Sequence, residues 1–160
     1  IPAFVDILVE LLKLGGAQGI DFDFEHLSDQ KDIDNAVYEQ QRLIVGKCVC
    51  ALKEALVAEG LPDIIVYTPR YSAFWTDGDY NTHAFKTDGE GQDIMGYLRD
   101  ECEYGMDAVT YINYMAYDMA ATEAFTDAAV DYFEIHQYDK IVDSTVAFGH
   151  VRLSDRRRSR

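Results

Sequence analysis

The chain has 160 residues, of which 48% are hydrophobic, and this is enough for one ordinary globular domain with its own core. Its formal net charge of −15 argues against a nucleic acid or an anionic membrane surface as partner, because their phosphates would be repelled. No uninterrupted apolar run approaches the roughly 18 residues that a membrane span needs.

The first predicted element is a helix near the start of the chain. Gly15 and Gly16 predict where this helix ends. Apolar residues before them recur at the spacing of one helix face, so the pattern predicts an amphipathic helix. The residues of the predicted apolar face are Phe4, Ile7, Leu8, Leu11 and Leu12.

The second element is an acidic strand at residues 19–25, which read Gly-Ile-Asp-Phe-Asp-Phe-Glu. Carboxylates and large apolar residues alternate with a period of two, and successive side chains of a β-strand point to opposite faces. We therefore predict that Ile20, Phe22 and Phe24 pack under covering helices. An unpaired buried carboxylate is costly, so the opposite row implies shared protons, hydrogen-bond partners, a cation or a polar substrate. That row consists of Asp21, Asp23 and Glu25.

A long helix and a buried strand are predicted next. A polar stretch at residues 28–34 leads into the helix, and Gly60 and Pro62 close it. Residues 64–68 read as a buried strand, and residues 71–80 have the irregular, aromatic composition of a loop. The predicted buried stripe of the helix consists of Val45, Cys48, Val49, Leu52 and Leu56.

The second half of the chain continues the alternation of helices and strands. Residues 91–105 and 122–136 are predicted helices, and residues 108–117 and 140–148 are predicted strands. Four helices that alternate with four strands predict a parallel sheet with right-handed crossovers. The sequence therefore predicts an α/β fold.

Two segments together carry a family signature. Residues 18–25 read Gln-Gly-Ile-Asp-Phe-Asp-Phe-Glu, and residues 115–118 read Met-Ala-Tyr-Asp at the end of a predicted strand. These segments resemble the fourth and sixth barrel strands of glycoside hydrolase family 18, the chitinases and related endo-β-N-acetylglucosaminidases. The family motif Asp-x-x-Asp-x-Asp-x-Glu has an aspartate where this chain has Gln18. Residues 26–27 are His-Leu, where many members have Tyr-Pro or a similar pair.

The resemblance implies that residues 1–150 are a segment of a TIM (β/α)8 barrel, about strands four to seven with their helices. A closed barrel takes roughly 200 to 250 residues, so the remainder of the barrel is expected from the same or a neighbouring chain. The segment by itself is then expected to be inactive. Residues 151–160 include five arginines and are expected to be a disordered tail or a misassigned end of the gene.

The resemblance also implies an activity, which is hydrolysis of β-1,4 glycosidic bonds in chitin-like polysaccharide containing N-acetylglucosamine. Family 18 uses a substrate-assisted retaining mechanism, in which the 2-acetamido group of the sugar is the nucleophile. No cofactor or metal is implied, the acidic charge is compatible with a neutral polysaccharide, and an extracellular or secretory location is expected.

The family roles are carried over onto matching residues. The resemblance makes Glu25 the general acid and base, and it makes Asp23 the group that holds the acetamide N–H. Asp21 shares a proton with Asp23, because like charges two residues apart on one strand face do not both ionise easily. Tyr117 is expected to donate its hydroxyl to the acetamide oxygen. The expected substrate-binding residues are Asp118, Met115, Tyr71 and Trp75.

Several alternatives stay open on sequence alone. Tyr71, Phe74 and Trp75 can stack on sugar rings, or they can form a hydrophobic plug under a loop. The three cysteines are too few for a disulfide framework and lack zinc spacing, and Cys48 is best explained as a small buried hydrophobe. A chitinase-like lectin or scaffold without turnover is one rival function. The other is a metal-dependent transferase that uses Asp21 and Asp23 as a cation site.

Overall fold

The structure is a computed structural model, and it describes residues 1–24, 35–69, 73–74, 90–115, 131, 134, 141–143 and 151–152. Helices and strands alternate along these residues, which confirms the predicted α/β class. The helices are α1 (Pro2–Gly15), α2 (Asn35–Ala58) and α3 (Glu90–Glu101), with a short 3₁₀ turn at Gly105–Ala108. The strands are β1 (Gly19–Phe24), β2 (Ile64–Pro69), β3 (Tyr111–Tyr114), β4 (Ile141–Asp143) and β5 (Val151–Arg152).

The strands form one sheet in the order β1-β2-β3-β4-β5. The first four strands are parallel, as predicted, and β5 pairs antiparallel with β4. Residues 151–152, at the start of the predicted basic tail, are therefore part of the sheet, and residues 153–160 lie outside the described residues. The described part of the chain thus contains one sheet that is parallel except for β5, and the helices pack against one of its faces.

Helix α1 begins with Pro2 in its first turn and ends before Gly16, whose φ of 60° is left-handed. Its limits agree with the prediction, and its buried face agrees in part, since Leu12 is buried and Leu8 is half-buried against the core. Three predicted core residues are exposed, namely Phe4, Ile7 and Leu11, and the buried ones are Val5, Val9 and Leu12. Apolar residues surround most of this helix, so its sequence is compatible with more than one buried face, and the contacts with α2 help to select among them.

Helix α2 buries the predicted stripe, with every one of its five members under 9% exposed. Gly46 lies against the ring of Tyr97, where a Cβ would come within 2.7 Å of a ring carbon, so α2 and α3 approach closely there.

Near the end of α2, Lys53 donates to the carboxylate of Asp63 at 2.5 Å and to its backbone carbonyl at 3.2 Å. This hydrogen bond from Lys53 lowers the pKa of Asp63.

The described helices also carry a disulfide between Cys50 and Cys102, whose Cα atoms are 5.8 Å apart. It joins α2 to the residue that follows α3, and both cysteines are buried. Cys48 is free and buried, as predicted, and its burial raises the pKa of its thiol. The sequence did not predict this covalent link.

The strand predicted at residues 108–117 was wrong at its start, because β3 begins only at Tyr111. The backbone N–H of Val109 instead donates to the carbonyl of Met106 and closes the 3₁₀ turn. The predicted helix at 91–105 likewise ends at Glu101. Most of the helix predicted at 122–136 lies outside the described residues, although residues 131 and 134 have helical backbone. The last strand is described only as Ile141–Asp143.

Gly19 is the first residue of β1 and lies where β1 and β2 approach closely. This close approach gives a testable prediction. A Cβ built there would lie 2.1 Å from the carbonyl oxygen of Ile64, so no side chain fits without moving the backbone of β2. We expect Gly19→Ala to lower the free energy of unfolding by about 1–3 kcal/mol. Gly15→Ala is the matched control, because nothing lies within 4 Å of its Cβ position. Chemical denaturation measures both variants, and equal stabilities would contradict the steric explanation.

Candidate functional site

Strand β1 separates its apolar and acidic side chains, as its alternation predicted. Phe22 is buried, Ile20 and Phe24 are half-buried, and the rings of Phe22 and Phe24 stack at a centroid distance of 5.6 Å. Asp21 and Asp23 are exposed on the opposite face. The structure therefore places two of the three predicted acids side by side, away from the helices.

The register of the parallel strands extends this acidic face across the sheet. Asp21 lies opposite Val66, Asp23 lies opposite Thr68, and Val66 in turn lies opposite Tyr111. Register partners share a face of the sheet, and side chains alternate along each strand. The residues of β3 and its extension on this face are accordingly Tyr111, Asn113 and Met115. We call this side of the sheet the acidic face. On the described strands β1, β2 and β3 and the residue after β3, its members are Asp21, Asp23, Ile64, Val66, Thr68, Tyr111, Asn113 and Met115.

Met115 lies on the acidic face, as its parity in the sequence predicted. Its side chain is 8% exposed, and its backbone N–H donates to the carbonyl of Pro69 at 3.1 Å. This hydrogen bond continues the pairing of β2 and β3 toward their carboxyl ends. Met115 is therefore held at that end of the sheet as an apolar part of the acidic face.

One polar contact on this face was not anticipated from the sequence. The hydroxyl of Thr68 donates a hydrogen bond of 2.5 Å to Oδ1 of Asp21, and Thr68 is only 6% exposed. Such a short distance is typical of a hydroxyl that donates to a carboxylate. A threonine in a run of apolar strand residues is a weak signal, and only the parallel pairing of β1 with β2 reveals its partner.

Of the eight predicted site residues, three lie on the acidic face and five lie outside the described part of the chain. Gln18 is exposed immediately before β1, and Asp21, Asp23 and Met115 lie on the acidic face. The residues that lie outside the described part of the chain are Glu25, Tyr71, Trp75, Tyr117 and Asp118.

Phe74 settles one alternative that the sequence left open. Its ring is 1% exposed and lies 6.1 Å from the ring of Tyr114, whose parity places it on the helix-covered face. A ring buried in this way offers no surface to a sugar. Phe74 is therefore part of the hydrophobic core in this structure.

The acidic face has a simple chemical capacity. Two exposed carboxylates on neighbouring outward positions can accept hydrogen bonds from a polar ligand, and the Thr68 hydroxyl is a neutral donor that already binds one of them, Asp21. Among the described residues, no group of three His, Cys, Asp or Glu side chains is arranged to hold a metal ion. In the same ranges, no helix is both long and apolar enough to cross a membrane.

Comparisons with protein-family models, with curated proteins and with solved structures gave no match for this chain.

Proposed function

We propose that the chain belongs to a hydrolase that cleaves β-1,4 bonds in N-acetylglucosamine-containing polysaccharide of the chitin type. The observation that carries the proposal is the placement of Asp21 and Asp23 together on the acidic face of a parallel α/β sheet. Asp23 is the penultimate residue of β1. Active sites of α/β barrels lie at the carboxyl ends of the strands, which supports this location for the chemistry.

The proposed mechanism is substrate-assisted with retention of configuration. The acetamido oxygen of the substrate attacks the anomeric carbon while Glu25 gives its proton to the leaving glycosidic oxygen. Asp23 accepts the acetamide N–H and balances the charge of the oxazolinium intermediate, with Asp21 sharing a proton with it. Water then attacks the anomeric carbon and returns a proton to Glu25. Tyr117 donates to the acetamido oxygen, and Asp118 contacts the sugar.

We further propose that the parallel strands β1 to β4 are strands four to seven of a (β/α)8 barrel. Two apolar side chains on their acidic face are exposed, Ile64 at 37% and Tyr111 at 43%. Strand β1 also lies at the edge of the described sheet. Further strands, from the same or a neighbouring chain, would cover these side chains and pair with that edge. Tyr71 and Trp75 would line the substrate groove.

An extracellular or secretory location forms part of the proposal. The disulfide between Cys50 and Cys102 supports it, because disulfides form and persist in oxidising compartments.

A lectin or scaffold that binds chitin-like oligosaccharide without turnover is the second candidate. The observation in its favour is Gln18, which stands where the family signature has an aspartate. An amide cannot release a carboxyl proton, so this chain has one acidic group fewer in the motif than the family 18 enzymes that it resembles.

The full-length protein should cleave oligomers of N-acetylglucosamine and leave oligomers of glucosamine intact, because only the former carry the nucleophilic acetamide. The first product should have the β configuration, which proton NMR reads directly. Equal cleavage of both oligomers would contradict acetamide participation. Binding of the acetylated oligomer without cleavage would decide for the lectin.

A further inference from the structure

Thr68 is a buried polar residue that the proposed mechanism does not use. Its register partner on β1 is Asp23, but its hydroxyl donates to Asp21, whose own register partner is Val66. The hydrogen bond is therefore diagonal across the two strands. It draws the carboxylate of Asp21 toward the level of Asp23, which is also toward the carboxyl end of the sheet.

The hydrogen bond from Thr68 gives the two carboxylate oxygens of Asp21 different roles. A threonine hydroxyl has a single proton, and the structure directs it to Oδ1. Oδ1 is thus an acceptor, and Oδ2 is the oxygen that remains for the proton that the proposed mechanism places between Asp21 and Asp23. Threonine suits this task, because its branched Cβ restricts χ1 and its burial restricts it further.

Thr68 is the residue on the neighbouring strand β2 that donates a hydrogen bond to Asp21. On β1, β2 and β3, the ionisable residues on the acidic face besides Asp21 are Asp23 and Tyr111. The register through β4 adds Arg152 of β5, at the opposite edge of the described sheet from Asp21. Strand β2 separates Asp21 from Tyr111, and its own residues on this face are Ile64, Val66 and Thr68, none of which is ionisable. Thr68 therefore contributes a neutral donor that does not compete for the shared proton.

We propose that Thr68 is a positioning residue for catalysis, an inference that rests on the proposed function. By holding Oδ1 of Asp21, it orients Oδ2 to carry the shared proton toward Asp23. Asp23 is then free to accept the acetamide N–H with its other oxygen. The Thr68 hydroxyl keeps its own proton throughout, so it acts only through Asp21.

The test compares Thr68→Val, Thr68→Ser and Thr110→Val in the full-length protein, with an N-acetylglucosamine oligomer as substrate. Thr110, the residue before β3, is the control, because its hydroxyl also makes a hydrogen bond between neighbouring segments of the sheet: it accepts from the backbone N–H of Ile65 on β2 at 3.2 Å and does not involve Asp21. Thr68→Val should lower kcat about 10- to 100-fold with KM nearly unchanged. Thr68→Ser, which keeps the hydroxyl, should recover most of the rate, and Thr110→Val should keep the wild-type kcat.

Three results would overturn the inference while the proposed function stands: wild-type kcat in Thr68→Val, a loss in Thr68→Ser as large as in Thr68→Val, or an equal loss in Thr110→Val. If Thr68→Val does not fold, Thr68→Ala also removes the donor and must show the same loss of kcat. A wild-type protein that does not cleave the oligomer would remove the proposed function, and the positioning role with it.

Discussion

Glu25→Gln in the full-length protein should lower turnover of an N-acetylglucosamine oligomer by about 10²- to 10⁴-fold, the contribution of a general acid. Glutamine preserves the shape of the side chain but has no proton to give to the leaving oxygen. Binding of the oligomer should therefore stay within about twofold of wild type, since the lost interaction belongs to the transition state. Steady-state kinetics and calorimetric titration measure the two quantities separately.

Glu10→Gln is a control for the change from carboxyl to amide. Glu10 lies on α1 and pairs with Lys13 at 3.0 Å, apart from the acidic face. Its replacement should leave kcat unchanged. A Glu25→Gln variant that retained more than about a tenth of the wild-type rate would end the assignment of Glu25 as the general acid.

Those parts of the fold that depend on local periodicity could be predicted from the sequence. The period of two in β1 predicted that Asp21 and Asp23 point to the other face of the sheet from Phe22, because the pleat of a strand alone decides which face each side chain takes. The buried stripe of α2 was also predicted from local periodicity, since its five members recur at the spacing of one helix face and all five are buried.

The start of β3 and three of the five residues of the buried face of α1 were predicted wrongly, because tertiary packing decides them. Val109 is apolar and reads as strand, yet its N–H closes the 3₁₀ turn with Met106. In α1 the sequence favoured a face with Phe4 and Ile7, whereas the core takes Val5. Apolar residues on several sides of a short helix leave its rotation undetermined until its neighbours are known.

Contacts between residues that are far apart in the sequence could not be predicted either. The bond from Thr68 to Asp21 spans 47 positions, and it exists only because β1 and β2 pair in one particular register. The disulfide likewise requires that α2 and the end of α3 pack together. The candidate site was thus predictable in its residue types and its face, but not in the interactions that orient the side chains.

The disulfide between Cys50 and Cys102 should make the largest single contribution to stability that we predict. Its cysteines are 52 positions apart, and closing a loop of that length in the unfolded chain corresponds to about 4 kcal/mol in the chain-entropy description. The double variant Cys50→Ala/Cys102→Ala should therefore lose about 2–4 kcal/mol of unfolding free energy. Denaturant titration measures this loss, and wild-type protein in a strong reductant should lose a similar amount.

Cys48→Ala is the matched control, because Cys48 lies on the same helix, is equally buried and forms no disulfide. We expect it to cost about 1 kcal/mol or less, since it removes a single buried sulfur from the core. The double variant removes two buried sulfurs and the control removes one, so subtracting twice the loss of the control leaves the contribution of the covalent link. Equal losses in the two variants, or two free thiols at Cys50 and Cys102 in the purified native protein, would contradict the disulfide. The second result would also remove the support that the link gives to a secretory location.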